Sequence, residues 1–151
     1  MSSWKSTFEG WALGMAKNQV EFQDFSIEVK AALNDAIIAA LHESAGEVVS
    51  QTKRNSRFDT GKTKNSFAYK VDESSQTAYM GSPDENAIWE EFGTGEHALK
   101  GNGRKGGWSY QDANGDWHHT NGKKPSRAFW NAYSSLKNAI IQRFQNAFKG
   151  L

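Results

Sequence analysis

Apolar residues recur with the helical period along three stretches of the chain. The longest run lies between about residues 25 and 54 and holds the period through roughly seven turns. Its apolar positions are Phe25, Val29, Leu33, Ala36, Ile37, Ala40, Leu41, Ala45 and Val48. A second run over about 126–149 comprises Phe129, Tyr133, Leu136, Ile140, Phe144, Ala147 and Phe148. We therefore expect two long helices, the second opened by Pro125 and Ser126.

Two segments between these helices have the pattern of β-hairpins. Phe67, Tyr69 and Val71 alternate with polar residues, and DESSQ separates them from a second alternating run, Thr77 to Gly81. Further on, Asn114-Gly115 lies between WSYQDA and DWHHT, which predicts a hairpin with a two-residue turn. That turn would place Tyr110 opposite His119. Trp108, Tyr110, Trp117 and His119 would then share one face.

The order of these elements favours an α+β fold. We expect a mainly antiparallel sheet of about four strands packed against the two long helices. DENAIWEEF, after Pro83, is a short helical or irregular piece, and 93–107 is a flexible glycine-rich loop. An N-terminal arm, 1–23, carries Trp4, Phe8, Trp11 and Met15 at the spacing of a short amphipathic helix that could pack on its own domain or on a neighbour. The 151 residues fit a single domain, 1–151.

Composition excludes several classes of protein. The net charge of +1 gives no overall field toward nucleic acid or an anionic membrane. The absence of cysteine removes disulfides, thiolate catalysis and cysteine metal sites. The N-terminus resembles neither a signal peptide nor a membrane span, so we expect a protein that is cytoplasmic at synthesis. Aromatic residues make up 13% of the chain, with six Trp, so we expect some of them to lie at a surface that binds a partner.

Gly61-Lys62-Thr63 has the last three letters of a phosphate-binding loop. Such a loop also needs a glycine five residues earlier, a strand before it and a helix after it. Ser56 occupies the glycine position, a long predicted helix precedes the segment, and alternating residues follow it. We interpret Asp59-Thr60-Gly61 instead as a turn from helix to strand, in which Gly61 supplies a positive φ. The glycines of EEFGTGEH are likewise ascribed to a turn or a close backbone approach.

No set of residues supports catalysis or a cofactor. His118 and His119 are adjacent, so on a strand they point to opposite faces and cannot easily hold one ion. A histidine-based nuclease motif would need further His or Asn ligands on a following helix, where Asn131 is available but no later His is present. We expect His119 to pack beside Tyr110, and we predict no enzyme activity, no metal and no cofactor.

Charge is segregated along the chain. Residues 84–96 contain five acidic side chains and no base, whereas residues 100–127 contain six basic side chains and two acids. Opposite patches on one subunit suit head-to-tail contacts between copies. A solvated surface beside a mobile loop explains the same pattern equally well. As an alternative function, the aromatic and basic region 100–127 would bind nucleic acid through Trp108, Trp117, Arg104, Lys105, Lys123 and Lys124.

The order of motifs resembles the tail-completion, or head-tail joining, family of long-tailed bacteriophages. The likeness extends from residue 25 to about residue 150, while the first 20 or so residues do not match. The matching landmarks are Asp59-Thr60-Gly61 with Asn65-Ser66, Trp89 to Gly95, Gly107-Trp108, and Thr120 to Pro125 leading into Phe129.

The resemblance implies a structural virion protein of the neck, without catalysis. It would act as a ring, a hexamer when assembled, between the head connector or stopper and the tail tube. Membranes would play no part, and nucleic acid would meet the protein only by passing through the ring. A tail terminator at the top of the tube is the second alternative. The candidate interface residues are Glu90, Glu91, Phe92, Gly93, Thr94, Gly95, Glu96, Arg104, Lys105, Trp108, Lys123 and Lys124.

Overall fold

The computed structural model describes Asp24 and residues 26–57 and 61–151. Helix α1, Ser26–Asn55, is followed by the short helix α2, Lys62–Ser66, and by strands β1, Ala68–Asp72, and β2, Thr77–Gly81. Helix α3, Glu85–Phe92, and a 3-10 turn, Gly95–His97, come next. Strands β3, Trp108–Gln111, and β4, Trp117–Thr120, precede helix α4, Ala128–Lys149. The predicted N-terminal helix in 1–23 lies outside the described residues.

The chain divides into two compact units, residues 1–31 and residues 32–151. In the first unit the structure describes Asp24 and the beginning of α1, where the Asp24 carboxylate accepts a hydrogen bond of 2.9 Å from the Ser26 amide. This bond is a side-chain cap at the start of the helix. The elements that carry the candidate site all belong to the second unit.

The core of the second unit is small and lies where α1 meets β2, α3 and the residue before β1. Val49, Phe67 and Ala87 are buried together, and the half-buried Met80 packs against them. Ala40 and Ala45 of α1 and Ala128 and Ala132 of α4 are also buried. This core leaves many large apolar side chains at the surface.

Gly46 occupies the middle of α1, beside the ring of Tyr69. A Cβ added there would lie 3.5 Å from Tyr69 Cε1, an ordinary van der Waals contact. Because glycine weakens a helix interior, we expect Gly46→Ala to stabilise the fold by about 0.5–1 kcal/mol. Chemical denaturation would measure the gain. Gly46→Val is the matched control: its extra methyl groups would meet Tyr69 and reverse the gain, and equal stability of both variants would contradict this packing.

The α+β class is confirmed, but the single four-stranded sheet is wrong. The described strands form two separate antiparallel sheets of two strands each, β1 with β2 and β3 with β4. Asp72 fixes the turn of the first hairpin, since its carboxylate accepts bonds from the Ser74 hydroxyl and from the amides of Ser74 and Ser75. The hydrogen bond from the Ser74 side chain is the main reason why the pKa of Asp72 is lowered to about 2.

The predicted register of the second hairpin is wrong by one residue. Tyr110 pairs with His118, and Ser109 pairs with His119. The turn is longer than Asn114-Gly115 alone: the Gly115 amide bonds the Asp112 carbonyl at 3.1 Å, and the Asp112 amide bonds the Asp116 carbonyl at 2.9 Å. Gly115, at φ +91°, forms the bulge of this three-residue loop. A slip of one residue exchanges the faces of the strand, so Trp108 and Trp117 lie on opposite faces.

Polar contacts join α1 to α4 along their length. Arg143 of α4 bonds the Ser44 hydroxyl at 2.9 Å and forms ion pairs with Glu47 at 2.6 Å and Glu43 at 3.1 Å. At the other end the Asn55 side chain donates to the Ala128 carbonyl at 3.2 Å. Among the described residues, no helix is both long enough and apolar enough to cross a membrane.

The segment after Gly61 differs from its prediction. Gly61 has φ +79°, as expected, while Asp59 and Thr60 lie outside the described residues. The predicted direct passage into a strand is wrong, because the five-residue helix α2 intervenes before Phe67. The Thr63 hydroxyl of this helix donates to Asp84 at 2.8 Å. A carboxylate therefore lies beside this segment, where it would repel a phosphate. The turn at Asp59-Thr60-Gly61 stays a prediction.

Candidate functional site

Helix α3 positions the candidate site and is capped at both ends. The Asp84 carboxylate accepts a bond of 3.1 Å from the Asn86 amide at its start. At its end the Gly93 amide bonds the Trp89 carbonyl at 2.9 Å, and Gly93 turns the chain away with φ +75°. The segment after Pro83, predicted as helical or irregular, is a helix. Its last turn presents Trp89, Glu90 and Glu91 in three different directions.

Glu91 caps helix α4 from outside that helix. Its two carboxylate oxygens accept hydrogen bonds of 2.9 Å from the amides of Phe129 and Trp130. These amides belong to the first turn of α4, where no intrahelical acceptor is available. The residue before the helix, Arg127, provides no side-chain cap. Glu91 therefore replaces the usual Ser or Asp cap and fixes α4 to α3.

We expect Glu91→Ala to destabilise the protein by about 1–2 kcal/mol, because two amides lose their acceptor. The midpoint of thermal unfolding would fall by roughly 3–6 °C in a chain of this length. Glu91→Gln keeps one acceptor oxygen and should lose less. Unfolding followed by circular dichroism distinguishes the variants, and an unchanged midpoint for Glu91→Ala would show that Glu91 does not act as the cap.

Glu90 ties the same helix to the segment before α4. Its carboxylate forms an ion pair with Lys123, and Arg57 Nη1 lies 3.7 Å from its Oε2. Its carbonyl accepts bonds from the Ser126 amide at 2.7 Å and the Ser126 hydroxyl at 3.0 Å. Oε2 is buried and accepts no hydrogen bond. These contacts explain why α4 begins at Ala128 and not at Ser126.

Two irregular segments cross in contact just after α3. The Thr94 amide bonds the Lys123 carbonyl at 2.9 Å, and the Glu96 amide bonds the Asn121 carbonyl at 2.8 Å. A Cβ at Gly95 would lie 2.3 Å from the Asn121 carbonyl oxygen, and one at Gly122 would lie 2.1 Å from that of Thr94. Glycine is therefore required where the backbones cross, as expected for the GTG motif.

An open groove of about 800 Å³ lies beside this crossing. Its lining is mostly apolar and aromatic, with two cations and no carboxylate. The lining residues are Ile88, Trp89, Phe92, Gly93, Thr94, Gly95, Ala98, Leu99, Lys100, Asn102, Gly103, Arg104 and Trp108. The Leu99 amide bonds the Phe92 carbonyl at 2.9 Å, so the glycine-rich loop forms one wall of the groove. The predicted mobility of 93–107 stays a prediction.

Cations lie over the aromatic rings of this groove. Lys100 Nζ is 5.4 Å from the centroid of Phe92, and the Arg104 guanidinium is 5.8 Å from Trp108. The Arg127 guanidinium lies 5.9 Å from Phe92 and 5.2 Å from Trp130. Arg127 adopts a left-handed conformation, with φ +55°, that a side chain other than glycine rarely occupies. Such strain clusters at functional positions, and here it directs a guanidinium toward the rim.

The structure brings most of the predicted interface residues together, but in different roles. Phe92 to Gly95, Arg104 and Trp108 line the groove. Glu90, Glu91 and Lys123 bond within the subunit, as does Glu96, which accepts a bond of 3.2 Å from the Gly106 amide. Lys105 and Lys124 are exposed. Most of the acidic patch predicted for 84–96 is therefore used inside the subunit, whereas the cations remain at the rim.

The stacking surface required by the nucleic-acid alternative is divided between two faces. Trp108 lies on one face of the β3–β4 hairpin and Trp117 on the other. His118 stacks on Tyr110, with ring centroids 5.4 Å apart, so the predicted packing of His119 beside Tyr110 is wrong. His118 also bonds Asp112 at 2.9 Å, which holds the pKa of that carboxyl below its usual value. Within 24, 26–57 and 61–151, no three His, Asp or Glu side chains form a metal site.

Several site residues could not be identified from the sequence pattern. Lys100, Arg127 and Trp130 join the aromatic and cationic surface only through the fold. Trp89 was noted as a motif residue but not as a lining residue. The sequence does contain a sign of this role. Ile88, Trp89 and Phe92 give an eight-residue helix more apolar area than one buried face requires, which indicates that part of it is exposed.

Comparisons with models of protein families, with curated proteins and with solved structures found no match.

Proposed function

We propose that this chain is a non-catalytic structural protein of a phage neck, which joins the head connector to the tail by assembling into a ring. The order of motifs from α1 to α4 supports the class. The observation that carries the proposal is the exposed apolar and aromatic surface around the groove.

That surface is large relative to the small core. Ile88, Trp89 and Leu99 are more than half exposed, at 61%, 53% and 51%, and Trp130 extends the surface beyond Arg127. Monomeric proteins rarely expose adjoining apolar side chains to this extent unless they have a partner. Trp combined with Arg is also typical of the energetically important centre of an interface. Burial of this surface by a protein partner is the function that the geometry supports best.

Electron microscopy of particles made without the gene tests the proposal. A phage that lacks a head-tail joining protein should accumulate filled heads beside separate tails. Supplying the protein from a plasmid should restore joined particles. Normal joined virions without the gene would refute the proposal.

The same micrographs distinguish tail completion from the tail-terminator alternative. A terminator stops the growth of the tail tube, so its loss should give tubes of variable and excessive length. A completion protein acts on finished tails, so its loss should leave tails of uniform length. We favour completion because the motif order resembles that family over most of the chain.

A further inference from the structure

The rim of the groove carries cations that have no ion-pair partner among the described residues. Lys100, Arg104 and Arg127 lie over aromatic rings, and the ion pairs of the described chain involve other side chains. Basic and acidic residues are also separated between the two parts of the sequence. Residues 97–151 contain nine basic and two acidic side chains, whereas residues 1–96 contain nine basic and fifteen acidic ones. An apolar groove with this rim matches an apolar segment flanked by carboxylates.

The beginning of α1 is an exposed apolar segment with carboxylates beside it. Ile27 is 76% exposed, and Ala31, one helical turn later, is exposed as well, although the same helix buries its apolar stripe from Ala40 onward. Glu28 and Asp35 are also exposed. They lie seven residues apart, so they occupy the same side of the helix, next to the stripe that contains Ile27.

We infer that the groove receives the beginning of α1 from a second copy of this chain. This inference rests on the proposed function, because it assigns the contact by which the ring would form. Ile27 and Ala31 would enter the apolar floor between Trp89 and Trp108. This is a helix-in-groove interaction, in which an amphipathic helix inserts apolar residues one helical turn apart into a groove.

The carboxylates set the direction of the inserted helix. Glu28 and Asp35 would face the cations of the rim, Lys100 and Arg104. Lys30 lies three residues after Ile27 and borders the inserted stripe on the side opposite Glu28, so it would face away from Lys100 and Arg104. The contact joins different surfaces of the two copies, so each copy would still offer a free groove and a free helix. Repetition of such a contact closes into a ring or continues as a filament.

Cysteine cross-linking tests the contact directly, because the chain has no cysteine of its own. Ala31→Cys in one copy and Asn102→Cys, within the groove, in a second copy of different tag length should give a mixed disulfide dimer. Glu73→Cys, on the exposed turn of the β1–β2 hairpin, replaces Ala31→Cys as the matched control. A yield no greater than that of the control pair would overturn the inference.

Charge reversal provides an independent check. Glu28→Lys with Asp35→Lys, or Lys100→Glu with Arg104→Glu, should each lower the yield of the mixed dimer by about tenfold, equivalent to ~1.4 kcal/mol. The combination of the two reversed chains should restore it. Failure to restore the yield would overturn the inference. So would binding of a single-stranded oligonucleotide that depends on Lys100 and Arg104 in the absence of any cross-link.

The outcomes separate the contact from the function. Separate heads and tails without the gene, together with a failed charge reversal, would keep the joining function and reject only this contact. Normal virions without the gene would reject the function, while the cross-link measured on purified protein would still report self-association.

Discussion

Gly95→Ala is expected to lower the free energy of unfolding by about 3 kcal/mol or more. The new Cβ would lie 2.3 Å from the Asn121 carbonyl oxygen and 2.9 Å from Gly122 Cα, both in backbone that cannot rotate away. Overpacking of this kind costs about 1–3 kcal/mol. The φ of +59° adds about 1–2 kcal/mol for a residue with a side chain. The midpoint of thermal unfolding should fall by roughly 6–12 °C.

Gly101→Ala is the matched control for this effect. Gly101 has a similar φ, +68°, but nothing lies within 4 Å of a Cβ added there. It should therefore show only the conformational cost of about 1–2 kcal/mol. Unfolding in urea, with both variants compared to the parent protein, isolates the collision from the backbone strain. Equal losses in the two variants would show that the crossing of 93–96 with 121–123 is looser than described.

The sequence predicted the elements better than their pairing. Helix α1 and the first hairpin follow directly from periodicity, since burial on one face imposes a repeat that can be recognised locally. The second hairpin follows from its Asn-Gly turn signal. The register of the second hairpin was not readable. Asp112 extends the turn by accepting bonds from the amides of Asn114 and Asp116, and this side-chain contact overrides the preference of Asn-Gly for a two-residue turn.

The charge pattern shows a second limit of the sequence. A run of carboxylates in 84–96 resembles a surface patch, yet Glu91 caps a helix 38 residues later and Glu90 pairs with Lys123. Which charges remain available depends on contacts between residues far apart in the chain. Local composition cannot supply that information. The glycines of GTG were predicted to serve a turn or a close backbone approach, and the structure shows a turn at Gly93 and a close approach at Gly95.

Under the proposed function, Trp89→Ala is expected to abolish head-tail joining while leaving the fold intact. Trp89 lines the groove, and 53% of its side chain is exposed in the free chain. Nearly half of the residue is buried, so the free energy of unfolding should fall by about 1–2 kcal/mol, which leaves the chain folded. At the centre of an interface, however, truncation of a Trp commonly costs at least about 2 kcal/mol, or roughly 30-fold in affinity. In a ring, the affinity of every contact between subunits would fall by this amount.

Trp117→Ala is the matched control for Trp89→Ala, because Trp117 is 71% exposed and lies on the β3–β4 hairpin outside the groove lining. Both variants would be supplied to a phage that lacks the gene, and the plaque titre would be compared with that of the parent protein. We expect a fall of more than ~30-fold for Trp89→Ala and nearly full titre for Trp117→Ala. The reverse order would place the assembly surface on the outer face of the hairpin. Full titre for both would mean that neither tryptophan is covered in the virion, which contradicts the argument from exposed aromatic surface.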